Sequence, residues 1–187
     1  ALHPTMVRVA LEALPDGAVR PRMLALEARG RLRQARGQIA EAESDYREAS
    51  TLAQSLRAEG PLGRLLAYLG GVQRVQGQRA DARRSLEQAV SLLEAVDDRR
   101  MHGRALSMLA GLLIDLQETE RALKLYDLAL NIHRDVHDRR YEGITLSNLG
   151  VYQQSVGLLS EAKLSYQQAL AIHRELRNRR SEGIAHI

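Results

Sequence analysis

Apolar residues recur along this chain at spacings of three and four, and no stretch alternates with period two for long, so the pattern predicts helices throughout. Residues Ile144, Leu146, Leu149, Tyr152 and Val156 mark one helical face. Gly157 then breaks the pattern at a position suited to a helix C-terminus, and Ser160 is placed to cap the next helix. Leu159, Ala162, Tyr166, Ala169, Ile172 and Leu176 mark a second face. Asn178 stands where a further helix would begin, as Asp98 and Asp138 do earlier, and Pro61 suits a first helical turn. The unit predicted is helix, short turn, helix, short turn.

That unit repeats. Arg99-Arg100-Met101-His102-Gly103 returns as Arg139-Arg140-Tyr141-Glu142-Gly143 and again as Arg179-Arg180-Ser181-Glu182-Gly183, 40 residues apart each time. Residues 121–140 match residues 161–180 at nine of 20 positions. Small residues form columns at this period: Gly30, Gly70, Ala110 and Gly150; Ala42, Ala82, Ala122 and Ala162; Ala49, Ala89, Ala129 and Ala169. Bulky columns lie between them: Leu26, Leu66, Leu106 and Leu146; Tyr46, Leu86, Tyr126 and Tyr166. Large residues facing small ones allow helices to interlock closely. The divisions expected are an N-terminal helix or half of a degenerate repeat over 1–19, repeats over 20–60, 61–98, 99–138 and 139–178, and the start of a fifth over 179–187. Met6, Val7, Val9, Ala10, Leu11 and Leu14 suggest the short leading helix, and Leu14-Pro15-Asp16-Gly17 reads as a turn. Without a leading Met, and stopping at Ile187 inside an apolar pattern, the chain reads as a segment of a longer protein.

Composition narrows the chemistry. Zero Cys removes disulfides, thiolate metal sites and a cysteine nucleophile. The core must be aliphatic, because the only aromatic side chains besides His are six Tyr. Residues 105–114 form the longest nearly uncharged apolar run, half of the roughly 20 residues a bilayer span needs. With no signal peptide visible, a cytoplasmic location is the default expectation. The net charge is +4, carried almost wholly by Arg, since Lys124 and Lys163 are the only lysines.

The repeat resembles the tetratricopeptide repeat, whose signature is met by Leu146, Leu149, Gly150, Gly157, Ala162, Tyr166 and Ala169. The 40-residue period is similar to the subtype found in kinesin light chain, Pins and Rap-type bacterial regulators. Departures are Arg29 and Arg33 at apolar positions, Gln117 in place of a turn Gly, and no aromatic after the Leu-Gly pair. The resemblance implies an all-α, right-handed α/α superhelix, a solenoid of antiparallel helix pairs whose first helices line a concave groove. The groove columns it implies are Leu24, Arg64, Arg104 and Ile144; Glu27, Ala67, Ser107 and Ser147; Ala28, Tyr68, Met108 and Asn148; and Gln34, Arg74, Ile114 and Gln154, with Asp115 and Ser155 beyond. Arg64, Arg74 and Arg104 would favour a carboxylate-bearing partner unless they are solvated or paired within the chain. Asn148 matches an Asn that grips peptide backbone in similar arrays, but only one repeat carries it. The chaperone-type carboxylate clamp is excluded, because its Lys column holds Glu27, Ala67, Ser107 and Ser147.

Other constellations give less. His133 and His137 stand four apart on one predicted helix, and His173 repeats His133, which argues for packing over metal binding. Glu41, Asp45 and Glu48 form an acidic stripe read as a solvated face. Arg22, Arg29, Arg33 and Arg36 form a basic stripe that could contact phosphates, yet no base-stacking aromatic lies among them. No nucleophile elbow, dinucleotide loop or phosphate loop occurs, so no enzyme, metal or cofactor is implied. The leading reading is a scaffold inside a larger bacterial regulator or adaptor, binding a protein or peptide, with an acidic one favoured by Arg64, Arg74 and Arg104, without membrane contact. Homo-oligomerisation through open solenoid ends, at Ile184 and Ile187, ranks second. Nucleic-acid contact through the Arg stripe ranks third.

Overall fold

A computed structural model gives the fold and describes residue 15 and residues 17–176. The short helix expected on Met6 to Leu14, Asn178, and Ile184 and Ile187 of the fifth repeat lie outside the described residues. Eight α-helices of 17 residues account for nearly all of the rest: α1 (Val19–Ala35), α2 (Ile39–Ser55), α3 (Glu59–Val75), α4 (Arg79–Ala95), α5 (Arg99–Asp115), α6 (Thr119–Asp135), α7 (Arg139–Ser155) and α8 (Leu159–Glu175). Two compact units divide the chain, Ala1–Asp98 and Arg99–Ile187. In the first, each of α1 to α4 packs on the next; in the second, α5 to α8 do the same.

Seven three-residue turns join the helices, and one device closes all of them. The middle residue is left-handed: Gly37, Arg57, Gly77, Asp97, Gln117, His137 and Gly157 all have φ between 50° and 80°. The residue after it donates its N–H back into the helix, as Leu158 does to the Gln153 carbonyl at 2.9 Å and Asp138 to that of His133 at 2.8 Å. This paired closure satisfies carbonyls that a helix end otherwise leaves open. Helix starts are therefore set by the preceding turn. Helix α8 begins at Leu159 behind Leu158, which makes no side-chain cap bond, so Ser160 is not its cap. Asp138 does stand at the N-cap of α7, but its carboxylate goes elsewhere and caps no amide. Pro61 falls in the first turn of α3. Ahead of α1, Ala18 N–H donates to the Pro15 carbonyl at 2.9 Å, closing a turn.

Four of the left-handed residues carry a side chain, which costs about 1–2 kcal/mol relative to a right-handed conformation. Gln117→Gly is therefore expected to raise the unfolding free energy by about 0.5–1 kcal/mol, read by denaturant titration of helicity. An unchanged or lower midpoint would count against the assigned turn.

The columns of the sequence become contacts inside each helix pair. In the first unit a Cβ placed on Gly30 would stand 2.6 Å from a ring carbon of Tyr46, and one on Gly70 2.6 Å from Leu86 Cγ. In the second, a Cβ on Gly150 would stand 2.8 Å from the Tyr166 ring. Each bulky residue of α2, α4 and α8 thus lies directly on helix backbone. The alanines of both columns are buried, Ala82, Ala122, Ala162, Ala129 and Ala169 among them, as are Leu26, Leu66, Leu106 and Leu146.

Candidate functional site

The first helix of each pair carries the implied groove columns. In the first unit these are α1 and α3. Leu24 is half exposed, Glu27 and Ala28 are partly buried, and Ala67 is fully buried. Tyr68 is partly buried and stacks on Tyr46 with ring centroids 5.5 Å apart, while the Arg31 guanidinium lies 5.8 Å from the Tyr68 ring. Tyr46 in turn donates its hydroxyl to Gln34 Oε1 at 2.9 Å. Burial, with the nearby Tyr68, pushes the Tyr46 phenol well above its usual range. Arg64 is partly buried, and its Nε is enclosed without a hydrogen-bond partner among the described residues. Arg74 is exposed in the last turn of α3.

In the second unit the same columns fall on α5 and α7. Arg104 is latched within the chain: its Nε and Nη2 donate to Asp138 Oδ2 at 3.0 and 2.6 Å, and its guanidinium sits 3.9 Å over the Tyr141 ring. Charge-assisted bonds and a cation–π contact together hold it flat. Met108 and Ile144 are partly buried, Asn148 is exposed, and Gln154 is exposed while accepting the Tyr166 hydroxyl at 3.0 Å. Ile114 is partly buried, and Asp115 and Ser155 are exposed.

Ser107 and Ser147 do not present their hydroxyls on an open face. Both are buried. Ser107 Oγ pairs with Thr145 Oγ1 at 2.7 Å and stands 3.4 Å from His133 Nε2. Ser147 donates to the Gly143 carbonyl at 3.0 Å and lies 3.5 Å from His173 Nε2. The Ser column therefore faces the interior, next to two buried His rings. A Ser–His contact can activate a nucleophile, but here both members are buried, and His133 Nδ1 has no carboxylate to orient it. Burial lowers the His133 pKa to about 4; Arg104 adds to the fall, and Asp138 and Glu142 oppose it. His137 is not on the same helix as His133, because α6 ends at Asp135 and His137 is the left-handed residue of the turn that follows. Among the described residues no three His, Asp or Glu side chains gather as a metal site, and no helix is long and apolar enough to cross a membrane.

The two charge stripes of the first repeat prove to be one structure. Arg29 donates to both oxygens of Asp45, at 2.6 Å to the nearer, and Arg33 donates to the farther at 2.7 Å. Arg22 pairs with Glu48 at 2.7 Å. Asp45 is 2% exposed, so the acidic stripe is not a solvated face at that residue, whereas Glu41 is exposed and Glu48 partly so. Three of the four stripe arginines are already matched by carboxylates of α2, which leaves little of a phosphate-contacting surface. The signal for this was present: residues 12 apart are matched in kind, as Arg33 with Asp45, Gln73 with Ser85, Leu113 with Leu125, and Gln153 with Ser165. The Gln73–Ser85 and Gln153–Ser165 bonds are 2.8 and 2.7 Å. Asp138 and Tyr141 were missed as partners of Arg104. Their trace is a spacing of 34, at which Arg64 and Arg104 are followed by Asp98 and Asp138, whereas Leu24 and Ile144 are followed by Ala58 and Asn178.

Compared with known proteins, residues 102–175 match the tetratricopeptide repeat family. Solved structures of similar fold extend the likeness over nearly the whole chain. BtubC (BKLC) from P. vanneervenii is 23% identical at a TM-score of 0.75, covering 94% of this chain and 74% of its own. A Rap protein complexed with Competence and Sporulation Factor is 19% identical at 0.85, covering 96% and 50%. Aspartyl phosphate phosphatase F from Bacillus subtilis is 13% identical at 0.79, covering 95% and 47%. The chain thus spans about half the length of the last two. At these identities the likeness is one of fold: an all-α solenoid of antiparallel helix pairs. No curated protein sequence matches the chain.

Proposed function

We propose that this chain is a protein-interaction scaffold that takes a carboxylate-bearing protein segment on the first-helix faces of its tetratricopeptide repeats. Repeats of this family generally serve as such scaffolds. The Rap protein of similar fold was solved in complex with Competence and Sporulation Factor, which supports a bound partner here. The observation that carries the reading is the unpartnered Nε of Arg64. A guanidinium N–H enclosed without an acceptor is costly, and a carboxylate is its best partner. The equivalent Arg104 supplies the template, since its guanidinium lies over the Tyr141 ring and already holds the Asp138 carboxylate. Tyr68 is the apolar surface beside Arg64 on α3, and Asn148 is one of the exposed polar positions of the second unit. Arg104 acts here as an internal latch, and Ser107 and Ser147 as packing residues. The chain is read as having no enzymatic activity of its own and as working in the cytoplasm.

The test is binding of an array of acidic and neutral peptides to the folded chain, beside Arg64→Ala. The variant is expected to lose affinity for acidic peptides about tenfold or more, the worth of one charge-assisted bond, with helicity unchanged. Equal binding by wild type and variant, or no preference for acidic peptides, would remove Arg64 from the site. Arg104→Ala is a poor probe of binding, because it breaks the latch to Asp138.

A further inference from the structure

We propose that His133 is a proton-triggered wedge at the seam where α7 packs on α5 and α6, so that acid loosens the second unit and leaves the first closed. This goes beyond the binding reading and does not rest on it. The ring of His133 is fully buried, with 0% exposure. Its Nε2 meets the Ser107 hydroxyl of α5, which is itself bonded to Thr145 of α7, so the ring adjoins a polar link between these helices. Its Nδ1 has no hydrogen-bond partner among the described residues. That edge lies against the backbone of α5, where a Cβ on Gly103 would stand only 3.1 Å from Nδ1, so there is no room for water.

A second ring proton would need an acceptor, and the neighbours offer none that is idle. The charged and titratable groups around the ring are Arg104 from α5, Asp138 from the turn before α7, and Glu142 and Tyr141 from α7, the Tyr141 ring 6.0 Å away. Asp138 already accepts two N–H groups from Arg104. Glu142 accepts from Arg134 at 3.0 Å and from Arg139 at 2.6 Å. An imidazolium must take a carboxylate from an arginine, with Arg104 close by, or leave the seam for water. Either course separates α7 from its neighbours. The first unit has no such trigger. Its equivalent position is Leu93, packed over Gly63 as His133 is over Gly103, and no histidine occurs among its described residues.

The sign follows from the ring's pKa, lowered from 6.5 to about 4 by burial. The opened state binds the proton more readily than the closed one, so the closed state loses stability as pH falls from about 6.5 toward 4. Such a gap predicts a rise of about 20-fold in the opening equilibrium between pH 7 and pH 5. Hydrogen exchange of the whole chain, corrected for intrinsic rates, should show this loss of protection in α5 to α7 and not in α1 to α4. His133→Leu, which copies Leu93, should remove the acid loss in α5 and α6, while His173, buried against Gly143 of α7, stays in place. Equal protection of α5 to α7 at both pH values would overturn the proposal, as would a His133→Leu variant that opens with acid as wild type does. Should that variant fail to fold, titration of the His133 ring by NMR decides: a midpoint near 6.5 overturns it and one below 5 supports it.

Discussion

Tyr46→Ala is expected to lower the unfolding free energy of the first unit by about 3–5 kcal/mol. Three losses combine in this one change. The ring is fully buried, so its apolar area returns to water or leaves a cavity. It also sits on the backbone at Gly30, where the absent Cβ makes a slot that no other residue of the pair fills. Its hydroxyl bond to Gln34 and its stack on Tyr68 go with it. Tyr46→Leu is expected to recover most of the loss, because the fold already accepts Leu86 over Gly70 at the equivalent place. Denaturant unfolding of the three proteins, followed by helical circular dichroism, measures both differences. A loss below about 1 kcal/mol for Tyr46→Ala would mean that the slot collapses and the register of α1 on α2 is not held by this ring.

Asp45→Asn is expected to cost about 3 kcal/mol by the same measurement. The substitution keeps the shape and removes the charge. Asp45 is 2% exposed, and both of its oxygens accept from guanidinium groups. Without it, Arg29 and Arg33 face each other across a half-buried gap with no anion between them. Their side chains are 27% and 30% exposed, so part of their charge can be solvated, which keeps the cost at the lower end for a broken buried pair. The triple substitution Asp45→Ser, Arg29→Ala and Arg33→Gln, which installs the Gln73–Ser85 pairing of the next repeat, should recover much of the loss. A single Asp45→Asn change that left stability intact would show that the ion cluster is solvent-supported.

The repeat, its period and its large and small columns were legible because each is a matter of spacing along one chain. Tyr46 facing Gly30 and Tyr166 facing Gly150 follow from two columns 16 residues apart that never carry bulk on both sides. The turns were only partly legible. Gly37, Gly77 and Gly157 announce a left-handed residue, but Arg57, Asp97, Gln117 and His137 adopt the same conformation without the residue type that signals it. The helix on either side dictates their φ, so local propensity is overruled. That is why Ser160 reads as a cap when the turn before it already closes the helix, and why His137 reads as helical.

By itself, the sequence determined the all-helical class, the 40-residue unit and which residues are core, because burying an aliphatic face at helical spacing allows one arrangement of pairs. Only the tertiary structure decided which polar residues are available to a partner. Two stripes of opposite charge, each plausible as a surface, cancel when α1 lies on α2. Arg104 is taken by Asp138 from 34 residues away, whereas the Nε of Arg64 meets no acceptor among the described residues. The physical reason is that a charged side chain is long and finds its partner in space. Its role depends on whether a neighbouring helix brings a carboxylate within about 3 Å, and spacing along the chain reports that only when the repeat happens to copy it.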